Sequence, residues 1–210
     1  MSLILASTSS RRRELLALLG IPFDVKSPSF VERLVVGRLA VEQVQSFAQG
    51  KARSVARQEP EAIVLGSDTV IEVDHDVIGK PVDLAEARAI LRRLAGRDHC
   101  VHTAVALVCS ARATDIAVLS RVVVRMKPFD ELVQERYLAT GESLGKAGAY
   151  SIQGEGGDLV DSIDGDYTTV VGLPLRLVAQ LLAKTDVNVP VDLDELYAVK
   201  PYANWSRFSV

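Results

Sequence analysis

Ser7, Ser9, Arg11 and Arg12 fall in the run Leu-Ile-Leu-Ala-Ser-Thr-Ser-Ser-Arg-Arg-Arg (3–13), where a short apolar strand passes through hydroxyls straight into a helix start. A helix N-terminus presents N–H groups without intrahelical partners at the positive end of its dipole. Serine hydroxyls add donors, and guanidinium groups fork onto phosphate oxygens. The chemistry served by that combination is anion binding, with a polyphosphate as the ligand. In the alternative reading Ser9 or Ser10 is a plain N-cap and the arginines form a solvated first turn. Each cation there opposes the dipole by ~0.3–1 kcal/mol unless an anion or carboxylate compensates, which weighs against it.

Asp68 lies in Gly66-Ser67-Asp68-Thr69, at the centre of an apolar strand. A carboxylate is costly to bury there unless it is paired or holds a metal, so it is expected to open onto a cleft; an acid satisfying a turn or an arginine is the alternative. Lys51 on a long helix and Lys80 in Gly79-Lys80-Pro81 each read singly as surface lysines. Together with Arg11 and Arg12 they supply four positive charges, a match for the roughly four negative charges of a nucleoside triphosphate. In the segment 147–154, followed by Gly156 and Gly157, small residues let the backbone approach a ligand, and the Gln153 amide both donates and accepts, as base recognition requires. A tight loop is the alternative. His102 reads as a structural hydrogen-bonding residue. There is no Ser/His/Asp order for nucleophilic catalysis and no Gly-Lys-Ser/Thr phosphate loop.

These residues need a scaffold that mixes strands and helices. The patterning predicts a strand at 3–7, a helix at 11–19 ended by Gly20, and a helix at 39–57 with Val41, Val44, Phe47, Ala48 and Val55 near one face. Residues 62–73 and 77–78 read as a hairpin turning at Asp74-His75, and Asp83 with Glu86 forms a capping box opening a helix that runs through Leu94 to Gly96. Long β-prone segments at 99–110 and 116–126 predict an antiparallel pair, followed by a helix at 129–139. Asp164-Gly165 reads as a hairpin turn between strands at 159–163 and 167–171, and Pro174 leads into a last helix through Leu182. Beyond Lys184 a polar stretch gives way to Tyr197, Tyr202, Trp205 and Phe208, an aromatic content that predicts packing on the body or on a partner subunit.

The 210 residues suffice for a full core, with 48% hydrophobic and 24% charged residues. The net charge of −3 excludes a generally basic surface for nucleic acid. Two cysteines, Cys100 and Cys109, make neither a disulfide framework nor a zinc site, and place the chain in a reducing cytoplasm. No leader pattern and no stretch approaching ~18 apolar residues is present, so no membrane association is expected.

Taken in order, the motifs resemble the Maf nucleotide pyrophosphatases. The resemblance rests on Leu-Ala-Ser-Thr-Ser-Ser-Arg-Arg-Arg-Glu-Leu-Leu (5–16), Gly-Ser-Asp-Thr (66–69), Gly-Lys-Pro (79–81), His-Thr-Ala-Val (102–105), Lys-Ala-Gly-Ala-Tyr-Ser-Ile-Gln-Gly (146–154), Asp-Gly-Asp-Tyr (164–167) and Val-Val-Gly-Leu-Pro-Leu (170–175). It spans 1–184 and leaves 185–210 as a C-terminal extension. It implies an α/β fold similar to inosine triphosphatases: an elongated mixed β-sheet with surrounding helices, and two lobes around a central cleft. It also implies a homodimer.

The implied activity is hydrolysis of a nucleoside triphosphate to the monophosphate and pyrophosphate with Mg2+ or Mn2+, in housecleaning of the nucleotide pool. Arg11, Thr69 and Gln153 fall on the positions that mark the dTTP/UTP branch, as opposed to the 7-methyl-GTP branch. Asp68 matches the catalytic acid, acting as general base or metal ligand, and Lys51 and Lys80 join it in the catalytic set. Ser7 and Arg12, with both lysines, match phosphate-binding positions. Glu32 falls on a glutamate near the metal, although the aspartate often found before it is Val31 here. Ser67 stands in place of a frequent alanine. Modified pyrimidine triphosphates are a variant of this reading; a nucleotide-binding regulator of cell division or septum formation is the alternative.

Overall fold

The computed structural model describes residues 2–208. The wholly buried β1 (Leu3–Ala6) lies between β2 (Asp24–Lys26) and β3 (Ile63–Val73) and runs parallel to both. The chain reaches β2 through α1 (Ser10–Ala17) and returns to the other side of β1 through α2 (Ala40–Ala56). β3 turns into β4 (Asp76–Ile78), with Asp74 and His75 both at positive φ, the twist-matched geometry of a two-residue hairpin. After α3 (Leu84–Leu94), β5 (Asp98–Cys109) and β6 (Thr114–Met126) form the predicted antiparallel pair, and β7 (Val160–Asp164) closes the sheet. Among the described residues the seven strands run β2-β1-β3-β5-β6-β7, with β4 also on β3.

That arrangement leaves an opening. β1 pairs with residues 63–66 of one edge of β3 and β4 pairs with residues 71–73, while β5 covers the opposite edge. Residues 67–70 therefore have no strand beside them on the first edge. The gap sits at the carboxyl end of β1, where the chain leaves toward opposite sides of the strand, a position at which open α/β sheets hold ligands. It separates a lobe around β1 and β2 from one around β4 and the outer ends of β5 and β6.

Strand alternation divides the core between the two faces of the sheet. Val64 and Val70 of β3 join Ile4, Ala104 and Ala106 against Val44, Phe47, Ala48, Ala52 and Val55 of α2. Ile63, Leu65, Ile71 and Val73 belong to the larger cluster, with Leu15 and Leu16 of α1, Leu91 and Leu94 of α3, and Tyr137 and Leu138 of α4 (Glu131–Ala139). Each fully buried leucine contributes about 1.5–3 kcal/mol. α2 comes close to the sheet at Gly66, where a Cβ would lie 2.4 Å from the Ala48 carbonyl oxygen. This approach aligns Lys51 with Asp68.

Two expectations change. Residues 167–171 form α5 (Tyr167–Val171) rather than a strand, because Asp166 caps them: its carboxylate accepts from the Thr168 N–H at 2.9 Å. The capping pattern at α3 is also extended. Asp83 accepts from the Glu86 N–H at 2.8 Å as read, but Glu86 reaches back to the N–H of Val82 at 2.7 Å.

Beyond α6 (Leu175–Leu182), the last segment folds over the larger cluster. Asp192 caps α7 (Leu193–Val199). Trp205 and Phe208 stack on Tyr167 at 5.8 and 6.1 Å between ring centroids. The Asn204 amide donates to the carbonyls of Ile152 and Gly154, both at 2.9 Å.

Candidate active site

A cavity of about 620 Å³ lies over the gap in β3. Ser7, Arg11, Arg12, Glu32, Lys51, Thr69, Lys80 and Gln153 all line it, although they come from six separate stretches of chain. Asp68 lines an adjoining hollow that shares Glu32, Thr69 and Lys80 with the cavity.

Strand geometry sends neighbours on β3 to opposite faces. Asp68 faces α2, and its Oδ1 accepts from Lys51 Nζ at 2.5 Å. The same ammonium lies 2.6 Å from Glu32 Oε1, and Lys80 Nζ lies 3.3 Å from Glu32 Oε2. Asp68 borders the hollow as expected, but its expected exposure is corrected: only 1% of it is exposed, and the ion pair with Lys51 offsets part of the cost of burying it. The surface reading of Lys51 is corrected with it, since Lys51 is buried too. Asp68 Oδ2 is buried without a hydrogen-bond partner among the described residues. Burial pushes the Glu32 carboxyl upward, but Lys51 and Lys80 outweigh it and hold the group below its ordinary range.

On the other face Thr69 Oγ1 accepts from Arg12 Nη2 at 3.1 Å and is 2.9 Å from Thr103 Oγ1, which donates to the Thr169 carbonyl at 2.8 Å. The Thr69 hydroxyl is thus engaged in a chain of bonds that holds Arg12. Arg12 Nε donates to the Gly172 carbonyl at 2.9 Å, and Nη2 comes within 3.9 Å of Asp68 Oδ1. The Ser67 hydroxyl, within 3.0 Å of both the Ala104 and Gly172 carbonyls, ties the same corner to the strand. Arg12 therefore bridges α1, β3 and the turn after α5.

The capping reading of the serines holds for Ser9. Ser9 is an N-cap accepting from the Arg12 N–H at 3.4 Å, and Ser7 Oγ accepts from the Ser9 N–H at 3.1 Å. Arg13 is exposed, but Arg11 and Arg12 are part-buried and not a solvated turn. Desolvation lowers the pKa of Arg11 and of Arg12, with Asp68 and Glu32 opposing the shift at Arg12. No hydrogen bond or ion pair joins Arg11 to a carboxylate among the described residues. With Arg11 and Arg12 at the positive end of α1, and Lys51 and Lys80 across the cavity, the site is an electropositive pocket holding two carboxylates.

Gln153 enters from the loop after β6 and α4. The small residues of that loop serve the protein's own packing: a Cβ on Gly148, at φ +74°, would lie 2.2 Å from Ile71 Cδ1. Gln153 Nε2 is 3.4 Å from the Tyr202 hydroxyl, while its Oε1 is buried without a partner among the described residues. Tyr202 also donates to Glu14 Oε2. Burial first, then the Glu14 carboxylate, raises the phenol to about 12. Sequence reasoning missed Tyr202, and also Lys146 and Phe30 in the cavity wall. Lys146 stands seven residues before Gln153 in a segment already singled out; for Phe30 and Tyr202 there was no local signal beyond aromaticity.

The fold and site together define an α/β protein with a cation-lined cleft and a carboxylate-lysine pair at its floor. The Maf-like protein family model matches residues 2–185, and the chain belongs to that family. It is 47% identical over 182 residues to a dTTP/UTP pyrophosphatase from Symbiobacterium thermophilum, covering 87% of this chain and 93% of the relative. It is 46% identical over 188 residues to one from Moorella thermoacetica, covering 89% and 96%. A Ham1 protein structure from Staphylococcus aureus matches 60% of this chain and 72% of its own, at 12% identity and a TM-score of 0.40.

Proposed function

We propose that the chain hydrolyses dTTP and UTP to their monophosphates and pyrophosphate. The observation that carries this reading is the buried Asp68 carboxylate, held at Oδ1 by Lys51 with Oδ2 unpartnered among the described residues, beside a cavity lined by cations. The names of the relatives support the choice of nucleotide.

In the proposed reaction Arg11, Arg12, Lys51 and Lys80 hold the phosphates and neutralise charge developing on the departing pyrophosphate. A water attacks the α-phosphorus, a new P–O bond forms, and the bond from that phosphorus to the oxygen bridging the α- and β-phosphates breaks. The water's proton passes to Asp68 Oδ2. Lys51 keeps the carboxylate ionised and oriented by occupying Oδ1.

The donor set fits a magnesium-type cation, which takes one or two carboxylates and completes its shell with phosphates and water. Glu32 would hold it, joined by Asp68 as the alternative to that carboxylate's role as proton acceptor. When bound, Mg2+ or Mn2+ would add Lewis-acid stabilisation of phosphate charge. No cluster of three or more His, Cys, Asp or Glu side chains forms a metal cage among the described residues, so the shell depends on the substrate.

The charges gathered at this cavity suit a free nucleotide rather than nucleic acid. No helix among the described residues is long and apolar enough to cross a membrane. Free Cys100 and Cys109 support a cytoplasmic setting. A homodimer is part of the same proposal, tested by mass in solution.

The deciding experiment measures pyrophosphate and monophosphate release from dTTP, UTP, CTP, dATP, GTP and 7-methyl-GTP with Mg2+ or Mn2+, for the wild type and Asp68→Asn. Release from dTTP and UTP, lost in the variant, is expected. Nucleotide binding without release from any of them would refute turnover and favour the regulatory alternative.

A further inference from the structure

We propose that Tyr202, in the C-terminal segment beyond the residues matched by the family model, is a positioning residue for nucleobase selection, fixing which way the Gln153 amide points through a Glu14–Tyr202–Gln153 relay. The proposal rests on the pyrimidine triphosphatase reading and deepens it.

Hydrogen-bond directionality carries the inference. The Glu14 carboxylate is an acceptor only, so the bond between it and Tyr202 uses the single phenolic proton. The Tyr202 oxygen can then only accept in its contact with Gln153, 3.4 Å away, and the partner must be the amide Nε2–H. The opposite orientation would face the amide oxygen with a phenolic oxygen whose proton is already committed. Gln153 Oε1 is left as the free end of the amide; it is buried and no donor reaches it among the described residues. A buried acceptor without a partner is unfavourable until something donates to it.

Uracil and thymine carry an N3–H donor that satisfies such an acceptor, whereas cytosine presents a bare N3. Two acceptors facing one another would reject cytosine even though its ring is the same size. The relay thus converts an amide that can read either pattern into one that reads a donor.

The surrounding segment is built to hold Tyr202 in place. The Asn204 amide clamps the carbonyls on either side of Gln153, those of Ile152 and Gly154, and Trp205 is anchored on Tyr167 and Tyr197. Arg207 adds a bond to Asp158 at 2.8 Å. The family model ends at residue 185, so these contacts come from a part of the chain outside the shared domain.

The test compares kcat and KM for UTP and CTP in the wild type, Tyr202→Phe and Glu14→Gln, with melting temperatures recorded for each. Phenylalanine keeps the ring and removes the relay. Glutamine at the exposed position 14 leaves the core untouched and ends the one-way direction of the proton. Both variants are expected to raise the CTP/UTP ratio of kcat/KM by roughly 3- to 10-fold, the equivalent of one neutral hydrogen bond, with the loss for UTP appearing in KM. A ratio that stays within about twofold of wild type in both variants, including the case where both nucleotides suffer equally, would overturn the relay and leave the enzymatic reading intact. A wild type that turns over UTP and CTP alike would also overturn it. If the wild type releases pyrophosphate from neither UTP nor dTTP, the parent reading fails and the relay falls with it.

Discussion

Replacing Lys51 by Met strands a carboxylate. The ammonium lies 2.5 Å from Asp68 Oδ1, and the side chains of the pair are 7% and 2% exposed, so water cannot take its place. Removing one member of a buried ion pair typically costs about 3–5 kcal/mol, because the remaining charge stays desolvated. Two features of the site set the value here. Arg12 remains 3.9 Å from Asp68, an attraction of about 4 kcal/mol at an effective dielectric of 20 that offsets part of the loss. Glu32, about a third exposed, keeps Lys80 and solvent. The lower end, about 3 kcal/mol, follows, and for a chain of this size it lowers Tm by roughly 6–12 °C.

Asp68→Asn removes the charge but keeps an oxygen for Lys51, which also retains Glu32, so its cost is about 1–2 kcal/mol. Combining the two substitutions leaves no stranded charge, and the double variant is expected to be about 2 kcal/mol more stable than the sum of the single losses. Urea unfolding of the four proteins measures this coupling without reference to activity. Additivity within about 0.5 kcal/mol would refute the claim that Lys51 stabilises the Asp68 charge. Pyrophosphate release should fall about 100-fold or more in each variant, so a variant that is stable but inactive separates the chemical role from the structural one.

Lys80 is half exposed and its ammonium pairs with Glu32. Lys80→Ala should therefore shift stability by less than about 0.5 kcal/mol while slowing pyrophosphate release about 100-fold; release within threefold of wild type would remove it from the mechanism. His99, bonded to Tyr150 at 2.9 Å, is pushed by burial from 6.5 to about 4 and stays neutral in the fold. Between those values the unfolded chain binds more protons, so stability is full above pH 6.5 and falls on acidification by up to about 3 kcal/mol near pH 4. Melting curves across that range should be flatter for His99→Gln, and identical slopes would exclude His99 as the cause.

Most of the scaffold was legible because its determinants are local. The Asp83 cap, the Asp74-His75 turn and the β-branched runs of β5 and β6 each declare themselves within a dozen residues. The segment 167–171 failed for a related reason. Tyr-Thr-Thr-Val-Val has strand propensity, but Asp166 supplies a cap, and its carboxylate also takes the Thr168 hydroxyl at 2.7 Å. In a five-residue element one good cap outweighs weak propensity.

The site was legible as a set of residue types and much less as an arrangement. Arg12 and Gly172 are 160 positions apart, and Glu14 and Tyr202 are 188 apart. The pairing of Lys51 with Asp68 depends on how closely α2 settles on β3, which the missing Cβ of Gly66 decides. Read alone, an acid in an apolar strand argues for exposure and a lysine on a helix argues for the surface. Together they permit burial, because each offsets part of the other's desolvation penalty. The gap along β3 completes the logic: β1 stops four residues into the longer strand and β4 begins five residues further along. A carboxylate on that interval is held within the sheet yet has no neighbouring strand on the cavity side. Shortening the gap by extending β1 or β4 would pair the backbone at 67–70 and close the floor of the cavity, so the short lengths of these two strands belong to the chemistry as much as the cations do.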